Sequence, residues 1–317
     1  MKRKIALICL ILVLTVLTAC GNGKALEEAK TAVDSYNAVA EEFNANIQIY
    51  NDTVTAYNNQ VDALQASLDK AQEVINKGEE PFDGSTLEAL KNAMSEAGKA
   101  MLGKEEFIEP AEILTVSENA KSSELKALVQ TANTGAEELA NREVPGALDL
   151  PDYTETMAAI EDAQVVYEKS IQSLKQVTAP TDEFVMDRLQ RVDTITAMAP
   201  VTEDHDPNRQ LNKQGGYIGC IYFTDSQVDR SQLYIEEGED NVIDVGNDGG
   251  GAVEIFATKE DAETRNSYIG TFDGNGLVKA GSHYVVGTCV VRTSDYLNGT
   301  QQKELTAKIT EVLTSVD

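Results

Sequence analysis

LEEAKTAVDSYNAVAEEFNANIQIYNDTVTAYNNQVDALQASLDKAQEVI, residues 26–75, decides how the first half of this chain folds. Its apolar positions alternate in steps of three and four: Leu26, Ala29, Val33, Tyr36, Ala40, Phe43, Ile47, Tyr50, Val54, Tyr57, Val61, Leu64, Leu68, Ala71 and Ile75. That spacing predicts one helix with a single coiled-coil-like seam. No proline interrupts it, and at 1.5 Å per residue it reaches about 80 Å. Several seam positions are Ala or Tyr, and Asn and Gln lie around them. A lone dimer seam of this kind is weak, so the helix is expected to pack on other helices of the same chain.

Working outward, GEEPFDG at 78–84 breaks the helix. Ser85 with Glu88 reads as a capping box, and Leu87, Leu90, Met94, Ala97 and Met101 form the next stripe, closed by Gly103. A further helix is expected over Glu118–Arg142, with Leu125, Leu128, Ala132 and Leu139 on one face. EVPGALDLPD at 143–152 is a loop, and Tyr153–Gln176 a helix with Ile160, Tyr167, Ile171 and Leu174 inward. Short connections between helices suggest an antiparallel bundle with one overlong member. Met and Tyr in these stripes read as core. A bundle of this kind serves as a spacer, an oligomerisation module or a partner-binding rod; the expectation is a stalk with some capacity for partner contacts, and a homo-oligomer is a candidate state.

Composition changes near Thr178-Ala179-Pro180-Thr181, where glycine becomes frequent and strand signals begin. Asp182 is a candidate cap for a short helix through Phe184, Val185, Leu189 and Val192. GYIGCIYF (216–223), AVEIFAT (252–258) and HYVVGTCVVRT (283–293) read as three strands, with a further short strand near Leu233–Ile235. KEDAETRNSYI (259–269) reads as a helix starting near Thr258, its acidic first turn suiting the helix dipole. QQKELTAKITEVL (301–313) is the last helix, with Thr300 as candidate cap and Leu305, Ile309 and Val312 or Leu313 toward a sheet. The expected class is α plus α+β: an N-terminal antiparallel helical bundle with one long coiled-coil-like helix, then a small α/β sandwich in the order α-β-β-α-β-α with helices on one face. The expected domains are 1–19, 20–178 and 179–317.

The first twenty residues, MKRKIALICLILVLTVLTAC, supply an address. Lys2, Arg3 and Lys4 form a positive start, and Ile5–Leu17 an apolar core shorter than the roughly 20 residues of a membrane span. Leu17-Thr18-Ala19-Cys20 resembles the lipobox of bacterial lipoproteins. The resemblance implies a signal peptide cleaved between Ala19 and Cys20, with a diacylglyceryl group on the Cys20 thiol. Two acyl chains suffice for stable anchoring. Gly21-Asn22-Gly23 would then be a short flexible tether. The expected location is the extracytoplasmic face of a cell membrane.

The chain carries 53 acidic against 26 basic residues, net −27, and loss of Lys2, Arg3 and Lys4 makes it three charges more negative. Phosphate backbones are repelled, so nucleic-acid binding is excluded. Anionic headgroups are repelled too, which leaves anchoring to the acyl chains. The simplest account of the charge is a solvated surface. Of four cysteines, Cys9 leaves with the signal and Cys20 is lipidated. Cys220 and Cys289 are then candidates for a disulfide in an oxidising compartment, or for two small apolar core residues. With no CxxC pair and two histidines, His205 and His283, a structural zinc site is not expected.

Three runs, VTEDHDPNRQLNKQGGYIGCIYF, DVGNDGGGAVEIFATKEDAETRNSYIGTFDG and GSHYVVGTCVVRTSDYLNGTQQKEL, resemble a C-terminal module of surface lipoproteins and related proteins of Firmicutes. The resemblance covers about residues 177–316. His205 departs from it, standing where such modules usually carry asparagine. It implies lineage and location rather than mechanism.

Candidate sites are three. In TEDHDPN (202–208), Glu203, Asp204, Asp206 and Asn208 crowd oxygen ligands that suit calcium. Yet the twelfth position counted from Asp204 is Gly215, not the carboxylate of an EF-hand, and Asp and Asn beside proline also form plain turns. In DVGNDGGG (244–251), Asp248, Gly249, Gly250 and Gly251 allow either a ligand loop or a tight bend into a strand; neither a P-loop nor a dinucleotide motif is present. Gly281-Ser282-His283 with Asp273 and Asp295 evokes a hydrolase, but adjacent Ser and His do not give nucleophile–base geometry and no GxSxG occurs. Arg292, after an apolar run, is expected in an ion pair. The expected function is therefore non-enzymatic: a membrane-anchored binding or interaction protein, presenting its C-terminal module to an unidentified protein or envelope ligand, with no cofactor. The alternative is a calcium-dependent module or cell-envelope enzyme using the acidic loops; a third reading is a purely structural coiled-coil spacer.

Overall fold

A computed structural model describes residues 21–235, 240–273 and 281–316. Ala19 and Cys20 lie outside the described residues. Four helices come first: α1 (Gly21–Asn76), α2 (Ser85–Ala100), α3 (Ser122–Asn141) and α4 (Thr154–Gln176). The expected Gly21–Gly23 tether is the first turn of α1. Twelve of the fifteen seam residues of α1, from Ala29 to Ala71, are buried. The exceptions are Leu26, Leu68 and Ile75; Ala25 is buried beside Leu26 and Val74 beside Ile75. Asp83 accepts from the Ser85 amide, so the cap of α2 lies ahead of the expected Ser85. The compact units are not the two contiguous stretches expected. One comprises residues through Lys70 with Met94–Ile160, the other Ala71–Ala93 with Glu161–Asp317.

In the first unit α1 packs on α3. Ala25 and Ala29 meet Leu125, while Phe43 and Ile47 meet Leu139 and Val144. Numbers rise together, so α3 runs in the same direction as α1. Gly135 permits this approach, since a Cβ there would stand 2.9 Å from the Tyr36 ring. The antiparallel neighbour of α1 is a segment that is neither helix nor strand, residues 101–117. Four asparagines at successive heptad positions hold it. Asn37, Asn44, Asn51 and Asn58 each donate through the side-chain amide to one backbone carbonyl and accept from the amide of the same residue. Those residues are Leu114, Ala111, Ile108 and Glu105, at 2.7–3.0 Å. Geometry explains the match: seven helical residues advance about 10.5 Å, and three residues of polyproline-like chain about 9.3 Å. One heptad of α1 therefore meets three residues of the strap. Eight hydrogen bonds satisfy backbone groups that no ladder serves, while Ile108, Ala111, Leu114 and Val116 pack toward α1 and α3. The strap makes the return pass that lets α3 run with α1.

The second unit adds α5 (Asp182–Leu189), β1 (Ile195–Pro200), β2 (Gly219–Asp225), α6 (Val242–Val245), β3 (Gly250–Ile255), α7 (Lys259–Gly270), β4 (Ser282–Val286), β5 (Cys289–Thr293) and α8 (Gly299–Thr314). The sheet is antiparallel in the order β1-β2-β3-β5-β4. Every residue of β2 and β3 is buried, which requires cover on both faces. Leu189, Leu305, Ile309 and Leu313 of α5 and α8 cover one face. Ile243 of α6 and Ala262 and Ile269 of α7 cover the other. The expected one-sided sandwich is therefore covered on two sides.

Four local expectations change. The single strand over 283–293 is a hairpin, with Val286 opposite Cys289 and Gly287-Thr288 as its two-residue turn. Gly287 has φ +62, and a Cβ there would stand 2.3 Å from the Val177 carbonyl oxygen. The Thr288 amide donates to that same oxygen. β1 is an added strand, and Leu233–Ile235 is not a strand. Caps also shift: Thr181 caps α5 rather than Asp182, and Asn298, with Gln301, caps α8 rather than Thr300. α7 starts where expected, with Thr258 as its cap.

Candidate functional site

Several residues singled out from the sequence meet on the α7-covered face of the second unit's sheet. Glu254, the next-to-last residue of β3, is fully buried there. Opposite it on β2 is Cys220, and on β5 Val290. A carboxylate so placed needs partners, and two guanidiniums supply them. Arg265 of α7 donates from Nε and Nη2 at 2.7 and 2.8 Å, and Arg292 of β5 from Nη1 at 3.0 Å. The Glu254 bonds raise the already high pKa of Arg265. Arg292 thus forms the ion pair expected of it. Neither arginine was tied to Glu254 in the sequence, since 11 and 38 residues separate them.

Cys220 and Cys289 are free thiols, which corrects the disulfide expectation. Side chains alternate across a strand, and Cys220 lies in the α7-side core while Cys289 lies in the α8-side core. Burial pushes both thiols up, Cys289 to about 12, and Glu254 pushes Cys220 further. Neither is a ready nucleophile.

The oxygen-rich loop is spent on its own backbone. Asp206 accepts from the amides of Asn208, Gln210 and Leu211 and from the Tyr217 hydroxyl. Burial opposes its ionisation, but these four donors outweigh burial and hold the carboxyl below its usual range. Burial and Asp206 push the Tyr217 hydroxyl far up. Asn208 donates to the Tyr222 hydroxyl, and Glu203 accepts from Asn212. Among the described residues no group of three His, Cys, Asp or Glu side chains is arranged to hold a metal. Glu203, Asp204, Asp206 and Asn208, the candidate calcium ligands, are not gathered around one point; the loop takes the other form its sequence allowed, an Asp-nucleated turn. His205 instead meets Asp244 of α6, which also takes a bond from Asn241.

The glycine loop is a bend into β3, not an open cradle. A Cβ on Gly250 would stand 2.5 Å from the Asp225 amide nitrogen, and one on Gly251 2.2 Å from the Arg292 carbonyl oxygen. Close backbone approach within the sheet requires both glycines. The Asp248 carbonyl accepts from the Ser294 hydroxyl. Burial and then Asp295 push the Asp248 carboxyl up, against the pull of Arg292. Nor does the Ser282–His283 pair form a dyad. His283 is held through Nδ1 by Asn266 and through Nε2 by Asp273.

A further concavity lies between edge strand β4 and α8. It is an open groove of about 540 Å³, lined by Ser282, His283 and Tyr284 on one side and by Gln302, Thr306 and Thr310 on the other. Tyr284 is exposed at its rim. Sequence reasoning named His283 but not this groove.

Compared with known proteins, the chain matches no family model, no curated protein and no solved structure. What the fold defines is a class: an α+β protein with a long N-terminal helix and a five-stranded antiparallel sheet. No helix among the described residues is long and apolar enough to cross a membrane.

Proposed function

We propose that this chain is a bacterial lipoprotein, anchored through diacylglyceryl-Cys20 to the extracytoplasmic face of the cell membrane, and that its α+β module binds a protein or envelope ligand without catalysing a reaction. The observation that carries the reading is the run from Met1 to Cys20: three cations, an apolar core too short to span, and LTAC at its end. A binding role, rather than catalysis, is supported by chemistry already described. The two free thiols are buried and hard to ionise, and His283 is occupied by Asn266 and Asp273. The groove between β4 and α8 is the surface assigned to the ligand, because it joins a sheet edge to a polar helix face.

The test is Cys20→Ala. The parent chain should incorporate labelled palmitate and stay in the membrane pellet through a high-salt wash. The variant should remain unprocessed and unlabelled. A variant that is still cleaved, and still pellets after that wash, overturns the anchor.

A further inference from the structure

We infer that β4 is a peptide-docking edge: an extended segment of a partner protein adds to the sheet as a sixth strand, antiparallel to β4, along the groove beside α8. The inference rests on the assignment of that groove to the ligand, and it names the ligand's chemistry. The sheet has two edges, and only one is guarded. β1 carries a bulge between Ile195 and Ala197 and ends in Pro200, two devices that stop an edge from pairing. β4 keeps an unbroken register with β5 and contains neither proline nor lysine. Among the described residues no strand pairs with its outer side. The ladder fixes which backbone groups are open there. Ser294 donates to the Gly250 carbonyl and Phe256 to the Thr288 carbonyl. Val290 and Arg292 therefore bond to β3, while Cys289, Val291 and Thr293 bond to Val286, Tyr284 and Ser282 of β4. His283 and Val285 are left with their N–H and C=O groups pointing outward, two donors and two acceptors. An antiparallel strand takes all four.

The groove sets the ligand's length, side chains and direction. α8 lines it from Gly299 to Glu311, a stretch of about 18 Å that about five strand residues span. α8 starts at the Ser282 end, where Gln302 donates to the Ser294 carbonyl, and finishes beside the turn that follows Val286. There the Ser315 carbonyl accepts from Gln176, and the next residue, Val177, accepts from the Thr288 amide. Lys303 and Glu311, both exposed, thus stand toward opposite ends of the groove. Side chains alternate along a strand. Tyr284 shares the α8 side with its partner Val291, so ligand residues opposite Ser282, Tyr284 and Val286 face the groove. Read from its N-terminal end, an antiparallel ligand places a basic residue opposite Val286, toward Glu311. A β-branched or aromatic residue follows opposite Tyr284, and an acidic one opposite Ser282, toward Lys303. A second copy of this chain is a poor occupant. Its own edge, SHYVV, lacks that charge pattern, and two chains of net charge −27 repel.

The experiment uses the processed chain, residues 20–317 with Cys20→Ser, and a phage-displayed library of random octapeptides. Selected peptides are then labelled and titrated by fluorescence anisotropy. They should share the order basic, any, β-branched or aromatic, any, acidic, with no proline at the two intervening positions. N-methylation of the backbone at either intervening residue should weaken binding by about tenfold or more, and at the central residue by under about threefold. Val285→Pro removes an outward donor but no bond of the sheet's own ladder, so it should weaken binding by about tenfold with the circular dichroism unchanged. Should that variant unfold, the methylated peptides decide the matter on the parent chain. Lys303→Glu with Glu311→Lys should invert the preferred charges. Ala307→Trp, at an exposed position of α8 that lines the groove, should block binding. Peptides that Ala307→Trp blocks, yet that ignore N-methylation and Val285→Pro, overturn strand addition and leave the groove as a ligand site. Peptides indifferent to Ala307→Trp overturn the groove assignment as well. An empty selection overturns strand addition. A dimer of the parent chain that Val285→Pro abolishes makes a second copy the occupant, and the partner reading falls.

Discussion

The asparagine ladder and the Glu254 cluster both bring polar side chains into packed surroundings, and they do so for opposite ends. In the ladder, neutral amides serve a backbone that would otherwise lack partners, through many equivalent contacts spread over four heptads. Around Glu254, three charges are concentrated at one point beneath α7, and each depends on the others. The difference teaches how loss should propagate. A distributed array should lose its members gradually, whereas a buried cluster left with an unpaired charge should fail at once.

The largest effect is expected from Glu254→Ala. It strands two mostly buried guanidiniums, and removal of one partner from a buried pair costs about 3–5 kcal/mol. Denaturant unfolding followed by near-UV signal from the tyrosines around β2 reads it. A loss below about 1 kcal/mol would mean water already reaches the cluster, and the contrast with the ladder would collapse. Next comes Gly251→Ala, whose Cβ would meet the Arg292 carbonyl at 2.2 Å and the Phe223 ring at 2.5 Å. Backbone must shift, at a cost of about 1–3 kcal/mol, and the same titration measures it.

Asn51→Ala should cost the first unit about 1–2 kcal/mol, since two part-buried bonds to Ile108 vanish. Hydrogen exchange should quicken at Ile108 and leave β3 unchanged. Exchange that quickens over the whole strap instead would make the ladder all-or-none, like the cluster. Acid provides a fourth, gentler probe. The Asp206 carboxyl is held below its usual range, so its contribution is present above the unfolded pKa near 3.8 and drains away as pH falls through the lower folded value. Asp206→Asn should flatten stability against pH below about 4, and an unchanged acid slope would remove Asp206 from the account. The smallest effect is Lys104→Ala. Its pair with Asp62 is more than half exposed on both sides, so stability should move by under about 0.5 kcal/mol.

How much of this was legible in the sequence differs between the two regions in the same way. The α1 seam was readable because side chains three and four apart share a helix face whatever the rest of the chain does. The four asparagines stood seven residues apart in plain view. Yet their partners are 47 to 77 residues away in a segment with no helical or strand period. In the α+β module, Thr258 announced α7 and the acidic turn announced itself. The hairpin at Gly287-Thr288 hid inside the apolar run VVGTCVV, which reads equally well as one buried strand. The two cysteines invited a bridge because spacing says nothing about which face of a sheet a residue takes.

Periodicity, turn chemistry and charge are local properties, and from them alone the chain specified a long N-terminal helix, an α+β second half, an acidic surface and the lipobox-like start. Pairings across distance are decided only when the chain closes on itself. The strap needed the coincidence of seven helical rises with three extended ones, Glu254 needed arginines from two other elements, and the thiols needed strand register to set them apart. Each depends on geometry that exists only once remote segments are held side by side, because neither hydrogen bonds nor Coulomb attraction select a partner until burial has brought it within a few ångströms.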